Sequence, residues 1–383
     1  MQNQRNTTLI ALQAGMSMAE MDRLGLISRE LAYFEALSRH IGPVAFITYG
    51  TDRKQEEQIA SRYFPGSTIA WTLPARFGRI RYGLFFGSWL PPLSRRAFKG
   101  CAAVRSEQLS GAWAGVLVAR RMGIPFILRC GYLFSPEFAR EHTSKMLIRT
   151  FTFLERVIAK AADAVIVTYP GARDFFMESH GIPGDRIHVL GNPVDTDLFR
   201  PLDTAPERDG IIVARFTEQK NLFSLIEAAA MTGMSLTLVG RGHLEARLKD
   251  HARKLGVDAV FVPPVLNSTI PELIARHRMF IFPSNWEGNP KALIEAMACA
   301  RPCIASDIPE NTHLIDDGVH GLICNTSPAS IAACMKRMAE DPSRAEAMGR
   351  NARDRIVNDY SMESIARREG GIHRDLLRRG RKG

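Results

Sequence analysis

Short apolar runs alternate with segments of helical periodicity along most of this 383-residue chain. That alternation predicts βαβ units, in which parallel strands are joined by crossover helices. The pattern is most regular in the second half, where the predicted strands are 210–214, 235–239, 259–262, 279–283, 302–305 and 321–324. The helices predicted there are 221–231, 243–255, 270–275, 290–300, 328–339 and 342–358.

The first half follows the same alternation less regularly. Scattered Pro and Gly from about 58 to 99 predict irregular structure. A turn-rich segment, 191–206, is the predicted hinge. We therefore expect an α/β fold of two Rossmann-like, doubly wound domains, 1–192 and 193–360, facing a cleft. The predicted elements of the first half are strands 8–12, 44–48, 126–129 and 164–168, and helices 29–39, 109–121 and 147–161.

The composition is that of a soluble globular protein, with 45% hydrophobic and 23% charged residues. The length suits two domains. No apolar run approaches the roughly 18 to 20 residues of a membrane span, and the N-terminus lacks a signal-peptide pattern. The six cysteines are scattered and do not form a disulfide framework, so we expect reduced thiols and a cytoplasmic location.

The net charge of +10 is concentrated in the first half and the tail. Residues 1–195 carry 24 Lys/Arg against 16 Asp/Glu, 196–365 carry 19 against 22, and 366–383 carry 7 against 2. The stretch 58–106 has eight Lys/Arg, no acid and nine aromatics. It could face nucleic acid, an anionic membrane or an anionic substrate, or it could be a solvated basic face over core aromatics.

Ligands of doubly wound sheets bind at the carboxyl ends of the strands, so the loops there are candidate sites. After strand 210–214, Arg215 and Lys220 lie at a strand end and a helix start. Two cations beside a helix N-terminus suit a diphosphate. Two solvated loop cations are the alternative.

The loop after strand 279–283 contains Glu287 and leads into a helix with Glu295 in its second turn. Asn289 suits the N-cap and Pro290 the first helical position. The free amides would then belong to Lys291, Ala292 and Leu293, and they would point into the cleft. The two glutamates could hold different parts of one extended ligand, although such a pair is more often on the surface.

A third loop, Gly240-Arg241-Gly242, begins like a dinucleotide fingerprint but lacks its third glycine, because Glu245 stands there. It therefore indicates close backbone approach by some ligand more than it indicates NAD.

Together these stretches form a pattern that resembles a known family. They read Val213-Ala214-Arg215, Lys220-Asn221, Val239-Gly240-Arg241-Gly242 and Glu287-Gly288-Asn289-Pro290-Lys291-Ala292-Leu293-Ile294-Glu295. The pattern resembles retaining, nucleotide-sugar-dependent glycosyltransferases of the GT-B fold, specifically family four, which is marked by two glutamates with seven residues between them. The resemblance is strong over about 190–383 and extends to the first half only in layout.

The resemblance implies a role for each matching residue. Arg215 and Lys220 match the basic pair that neutralises the donor diphosphate, and Glu295 matches the glutamate that binds the ribose. Glu287 matches the residue beside the transferred sugar, and amides after Gly288 would meet the phosphate or sugar. Two more implied positions are Gly240, at the nucleotide edge, and Gly15, in a loop over the cleft. The segment 361–383 is implied to return to the first domain as a helix.

The sequence departs from the family at several positions. Glu310 and His313 stand where a glycine and then a glutamate are common, and Ala300 replaces a common glycine. These departures leave the identity of the transferred sugar open. In many members a histidine of the first domain approaches the donor sugar, but the corresponding loop here, 129–132, has none. Three residues at strand ends of the first half are candidates for the acceptor side: Arg105, Arg129 and Tyr132.

The resemblance further implies retention of configuration without an obligatory metal or other cofactor, because the leaving phosphate can take the acceptor proton. Asp195-Thr196-Asp197 spells a metal signature of a different fold but lies in the hinge, and Cys299 and Cys303 lack a second pair for zinc. The expected partners are a nucleotide sugar and a glycan or lipid-linked acceptor, with an anionic membrane surface contacted through 76–99 and no nucleic acid. This favours surface polysaccharide or lipid-linked oligosaccharide synthesis. A GT-B sugar-nucleotide epimerase and a non-catalytic binding protein stay open as alternatives.

Overall fold

The computed structural model describes residues 6–72, 98–141 and 143–380. The chain divides into two compact units. Met1–Gly191 and Ile365–Gly383 form unit 1, and Asn192–Ser364 forms unit 2. The basic aromatic residues from 73 to 97 lie outside the described residues.

Unit 1 contains, among its described residues, a parallel seven-stranded sheet in the order β3-β2-β1-β4-β5-β6-β7. The order reverses between β1 and β4, which pair in parallel. The strands are β1 (Thr7–Ala11), β2 (Val44–Ile47), β3 (Thr68–Trp71), β4 (Cys101–Ser106), β5 (Phe126–Cys130), β6 (Ala164–Val167) and β7 (Ile187–Val189). Its helices are α1 (Met18–Arg23), α2 (Ile27–Ile41), α3 (Arg53–Tyr63), α4 (Leu109–Met122), α5 (Phe134–Glu141), α6 (Lys145–Ala161) and α7 (Pro170–His180).

Unit 2 contains a parallel six-stranded sheet in the order β10-β9-β8-β11-β12-β13, and its order reverses between β8 and β11. The strands are β8 (Arg208–Val213), β9 (Leu236–Val239), β10 (Ala259–Val262), β11 (His277–Phe282), β12 (Cys303–Ser306) and β13 (Leu322–Cys324). Its helices are α8 (Leu222–Thr232), α9 (Glu245–Lys254), α10 (Ile270–Ala275), α11 (Lys291–Ala298), α12 (Pro309–Thr312), α13 (Pro328–Glu340) and α14 (Pro342–Tyr360).

The last helix, α15 (Met362–Arg379), packs mainly in unit 1. Its Glu369 is buried and forms an ion pair with Arg105 at the end of β4, with Nε and Oε1 2.6 Å apart. The hydroxyl of Tyr33 in α2 donates to the other oxygen of Glu369. Burial alone would raise the pKa of Glu369, but the Arg105 guanidinium outweighs it and holds that pKa well below its usual range.

The burial of the strands is that of parallel sheets. Every residue of β2, β6, β9 and β12 is buried, as expected of parallel strands covered on both faces. Helix ends follow local signals. Asp52 caps α3 through hydrogen bonds from the amides of Lys54 and Gln55, and Gly123 ends α4 with a left-handed φ of 65°.

The predicted strands and helices of both halves are confirmed, with ends shifted by up to two residues. The prediction of irregular structure from 58 onward is wrong for the described part, which contains the end of α3 and all of β3. The strands β3, β4 and β7 and the helices α1, α3, α5, α7 and α12 were not among the predicted elements. The reasons are local: β7 has three residues, and the apolar run of β4 ends in Arg105 and Ser106.

Candidate functional site

The best-defined cluster of polar residues in unit 2 lies where its strand order reverses. Strands β8 and β11 are neighbours, and their carboxyl ends lead into the loops 214–221 and 283–290. Both predicted loops therefore begin at the same edge of one sheet, the edge at which ligands bind in folds of this type.

A buried ion pair connects the two loops. Lys220 ends a short 3-10 turn, and its ammonium contacts the carboxylate of Glu287. The two side chains are only 11% and 5% exposed. The Lys220 ammonium also lies 4.9 Å from the centre of the Phe282 ring, a distance suited to a cation–π contact. The structure thus brings together two residues that were predicted separately.

Hydrogen bonds of Gln219 also join the same two loops. The amide of Asn285 donates to the Gln219 carbonyl at 2.8 Å, and Gln219 Nε2 donates to the Trp286 carbonyl at 2.9 Å. Arg215 is exposed and donates to Gln219 Oε1 at 3.4 Å. Gln219 was missed by sequence reasoning, because nothing in its local pattern indicates a partner 67 residues away.

Glu295 lies in the second turn of α11 and is buried. Burial, followed by the nearby Glu295 carboxylate, raises the pKa of the Cys299 thiol to about 12. Cys299 is therefore a protonated, buried thiol near neutral pH. This agrees with the expectation that Cys299 packs in the core.

The start of α11 differs from the prediction. The helix begins at Lys291, with Pro290 as the N-cap residue and no side-chain cap from Asn289. The Lys291 amide donates to the Asn289 carbonyl at 2.9 Å, and the Leu293 amide donates to the Pro290 carbonyl at 3.0 Å. The expectation that both amides are free is therefore wrong, because a tight turn satisfies them within the chain. Asn289 Oδ1 is buried and has no hydrogen-bond partner among the described residues.

Gly240 and Gly242 are explained by the chain itself. A Cβ on Gly240 would lie 1.9 Å from the Ala214 carbonyl oxygen, and one on Gly242 would lie 2.2 Å from that of Phe216. Gly240 also has a φ of 142°, which disfavours any side chain. The group that approaches both glycines in this structure is the loop after β8, and the predicted approach of a ligand stays a prediction.

The candidates of unit 1 lie at or after the carboxyl ends of β1, β4 and β5: Arg105 and Arg129 are in the last residues of β4 and β5, and Gly15 and Tyr132 follow β1 and β5. Gly15 is exposed with a φ of 80°, and Tyr132 is half-buried with its ring centre 6.5 Å from that of Phe134. Arg105 has no exposed surface, since Glu107 and Glu369 enclose its guanidinium. An acceptor could reach Arg105 only after displacing those carboxylates.

Arg129 is also buried, with Nη2 3.4 Å from the Gly191 carbonyl oxygen and its guanidinium carbon 5.8 Å from the Tyr33 ring centre. Like that of Arg105, its position at a strand end is as predicted. Both side chains turn into the protein, however, so their assignment to the acceptor side stays a prediction.

Within the described ranges, no group of three or more His, Cys, Asp or Glu side chains is arranged to hold a metal ion. In the Asp195-Thr196-Asp197 stretch, Asp195 accepts hydrogen bonds from the amides of Asp197 and Leu198 at 3.0 Å, so its carboxylate caps a turn. All six cysteines are free and buried. No helix of the described part of the chain has the length and apolarity needed to cross a bilayer.

Two relatives with assigned activities are similar to this chain. The alpha-maltose-1-phosphate synthase of Mycolicibacterium smegmatis is 26% identical over 312 residues, which is 73% of this chain and 80% of that protein. The UDP-Gal:alpha-D-GlcNAc-diphosphoundecaprenol alpha-1,3-galactosyltransferase of Escherichia coli is 24% identical, covering 65% of this chain and 68% of its own.

Solved structures show the same fold. The sucrose-phosphate synthase from Thermosynechococcus elongatus superposes with a TM-score of 0.78 at 20% identity, covering 97% of this chain and 99% of its own. HepE of Anabaena, solved in complex with UDP-glucose, superposes with a TM-score of 0.70 at 17% identity, covering 97% of this chain and 99% of its own. The fold class predicted from the sequence, GT-B with two Rossmann-like domains, is confirmed.

Two family models match adjacent parts of the chain. The model described as Glycosyltransferase Family 4 matches residues 33–198, and the model described as Glycosyl transferases group 1 matches residues 198–355. Together with the fold, these matches make the chain similar to GT-B glycosyltransferases of family 4 over both of its units.

Proposed function

We propose that this protein transfers a sugar from a nucleotide-diphosphate sugar to a glycan or lipid-linked acceptor with retention of configuration. The observation that carries the proposal is the buried Lys220–Glu287 ion pair where β8 and β11 end, in a loop that also carries Arg215. A paired lysine and glutamate at this edge provide a cation for a leaving phosphate and a carboxylate for a sugar.

In the proposed donor site, Arg215 and Lys220 neutralise the diphosphate, Glu295 binds the ribose and Glu287 contacts the transferred sugar. The buried Asn289 Oδ1 supports this arrangement, because an unpaired buried acceptor gains a partner when a ligand hydroxyl donates to it. Gly288 and the amide of Ala292, in the loop and first turn that lead into α11, complete the proposed donor site of unit 2.

The mechanism follows from the charges that develop. Cleavage of the bond between the anomeric carbon and the phosphate oxygen leaves a sugar of oxocarbenium character and a nucleoside diphosphate. Cations held in place before the reaction stabilise the departing phosphate, and a single preorganised donor group of this kind contributes about 3 kcal/mol in other enzymes. The acceptor oxygen then bonds to the anomeric carbon on the same face, and its proton passes to the leaving phosphate. This scheme uses no metal and no separate protein base.

For the acceptor, we propose a glycan or a lipid-linked glycan in surface polysaccharide or lipid-linked oligosaccharide synthesis. The E. coli relative, whose name specifies a diphosphoundecaprenol-linked acceptor, supports this choice. The enzyme would then work in the cytoplasm, peripherally at the inner face of the membrane.

The test is a thermal-shift screen of nucleoside diphosphates and nucleotide sugars against the full-length protein. Ligand at a hundredfold excess over its dissociation constant stabilises the native state by about 2.7 kcal/mol. We expect one nucleotide sugar to raise the melting temperature, and we expect Glu295→Ala and Arg215→Ala to abolish the shift. Arg215 is exposed, so its variant keeps the fold, whereas Lys220→Ala also breaks a buried ion pair. The matched control is Arg253→Ala, an exposed arginine on α9.

The selected donor is then incubated with candidate acceptors, and the product is examined by NMR. An axial or equatorial anomeric bond identical to that of the donor supports retention. Inversion would contradict the proposed stereochemistry. Donor converted to its epimer without transfer would favour an epimerase, and binding without any turnover would favour a non-catalytic protein.

A further inference from the structure

The outer face of helix α6 carries an unusual combination of exposed side chains. Met146 is 75% exposed and Phe153 is 63% exposed, both high values for large apolar residues in a folded domain. The exposed basic residues of the same helix are Lys145, Arg149, Arg156 and Lys160.

Helical geometry places these residues together. Met146, Arg149, Phe153, Arg156 and Lys160 recur at intervals of three and four residues, so they share one face of α6. The only acidic residue of the helix is Glu155, which projects from the opposite side.

The inner face of α6 is fixed by its packing. The Phe151 ring centre lies 4.5 Å from that of Phe138 in α5, and Ile158 is buried in the core. Glu155 accepts a hydrogen bond from the Ser135 amide at 3.3 Å and faces His180 at 3.3 Å. The helix therefore cannot turn its apolar outer residues inward without breaking a buried polar cluster.

We propose that this outer face of α6 docks onto an anionic lipid surface. Apolar side chains flanked by lysine and arginine on one helix face are typical of helices that lie in the plane of a membrane interface. Phe153 and Met146 would enter the acyl boundary, while the four cations would contact lipid phosphates. Among the described residues, none of these cations is paired with a carboxylate, so their charge is available to the lipid.

The inference rests on the proposed function in one respect: a lipid-linked acceptor is the reason why the protein would bind a membrane. The surface itself lies in unit 1 and uses none of the proposed donor residues. Vesicle binding therefore tests it without donor, acceptor or turnover, and the thermal-shift screen tests the donor site separately.

The experiment is flotation of the full-length protein with vesicles of phosphatidylcholine alone or with added phosphatidylglycerol. We expect wild type to float with the anionic vesicles only, and we expect Met146→Glu/Phe153→Glu to stay unbound. Arg149→Gln/Arg156→Gln should bind more weakly, by about fivefold for each charge removed, and the loss should grow with salt. All changed residues are exposed, so the melting temperatures should equal that of wild type.

The matched controls lie in unit 2. Met231→Glu/Leu266→Glu replaces residues that are 55% and 70% exposed, and Arg278→Gln/Arg350→Gln removes two exposed charges. Both should bind vesicles as wild type does. Wild type that ignores anionic vesicles, or α6 variants that float as well as the controls, would overturn the proposal. A third outcome would also overturn it: wild type binds no vesicles but forms a dimer, and Phe153→Glu dissociates that dimer. The face would then contact a second copy of the chain.

Discussion

Lys220 and Glu287 are 67 residues apart in sequence, yet their side chains form one buried ion pair between the loops that follow β8 and β11. Both side chains are poorly solvated, and each one neutralises the charge of the other. A change at one of them therefore acts on the stability of unit 2 as well as on the proposed donor site.

Removal of one partner should destabilise unit 2 strongly. Lys220→Met leaves the Glu287 carboxylate buried without its cation, and breaking a buried pair in this way costs about 3 to 5 kcal/mol. Urea unfolding monitored by tryptophan fluorescence measures the change, since Trp286 adjoins Glu287. The double variant Lys220→Met/Glu287→Leu should recover most of the lost stability. The control is Arg253→Met, which breaks an exposed ion pair and should cost less than about 1 kcal/mol. Equal stability of Lys220→Met and wild type would contradict the assignment.

The ion pair of Arg105 and Glu369 predicts an acid-sensitive unit 1. The pKa of Glu369 is lowered from an ordinary value of 4.5, so the folded state holds its proton more weakly than the unfolded state does. The stability contributed by the pair is therefore complete above about pH 5 and is lost as the pH falls below 4.5 towards the folded pKa. Unfolding midpoints of wild type and Glu369→Gln, measured from pH 7 to pH 3, should differ most at neutral pH and converge in acid.

Tyr33→Phe provides a milder version of the same test. It removes the hydroxyl that donates to Glu369 but keeps the carboxylate and Arg105. Its deficit should be smaller than that of Glu369→Gln and should keep the wild-type dependence on pH. A constant difference between wild type and Glu369→Gln across the whole pH range would refute the role of the ionised carboxylate.

The loop glycine Gly240 should tolerate no side chain. In Gly240→Ala the new Cβ would lie 1.9 Å from the Ala214 carbonyl oxygen at a φ of 142°, so the backbone must shift. We expect a loss of about 3 kcal/mol in the free energy of unfolding. Gly256→Ala is the matched control, since its φ is 64° but nothing lies within 4 Å, and it should cost about 1 kcal/mol. Equal losses in urea unfolding would show that conformational strain alone acts at Gly240.

Sequence pattern predicted the second half better than the first for physical reasons. Strands such as β9 and β12 are continuous apolar runs because both faces are buried, and such runs stand out against helical periodicity. The last two residues of β4 are polar, and one of them, the fully buried Arg105, is neutralised by Glu369, which lies 264 residues later. Local polarity therefore obscured part of a buried strand. β3 is an edge strand that is only partly buried, and its apolar signal is correspondingly weak.

The candidate site shows the same division between local and long-range information. The positions of Arg215, Lys220 and Glu287 after their strands followed from local pattern. The ion pair of Lys220 with Glu287 and the bridge through Gln219 did not, because they depend on which strands become neighbours. Asn289-Pro290 resembled a capped helix start, but a tight turn in the actual loop delays the helix by one residue.

The buried cysteines predict a protein without reactive thiols. All six are free and buried, and burial raises the pKa of Cys324, as it does that of Cys299, to about 12. The thiolate is the reactive form, so it is scarce at pH 8 and shielded as well. We expect almost no reaction of the native protein with a colorimetric thiol reagent, and six thiols after denaturation. One fast-reacting thiol in the native protein would contradict the buried arrangement.

The proposed reaction should need no metal ion. Lys220 is buried and paired with Glu287, so the exposed Arg215 guanidinium is the more accessible of the two proposed diphosphate cations. If that guanidinium supplies the charge stabilisation, Arg215→Ala should lower kcat by about 100-fold or more, and EDTA should leave the activity of wild type unchanged. Manganese should not rescue Arg215→Ala, because a free ion lacks the geometry of a guanidinium held by Gln219. Wild-type activity that EDTA abolishes and manganese restores would instead show that a metal carries the diphosphate charge, and Arg215 would then only position the donor.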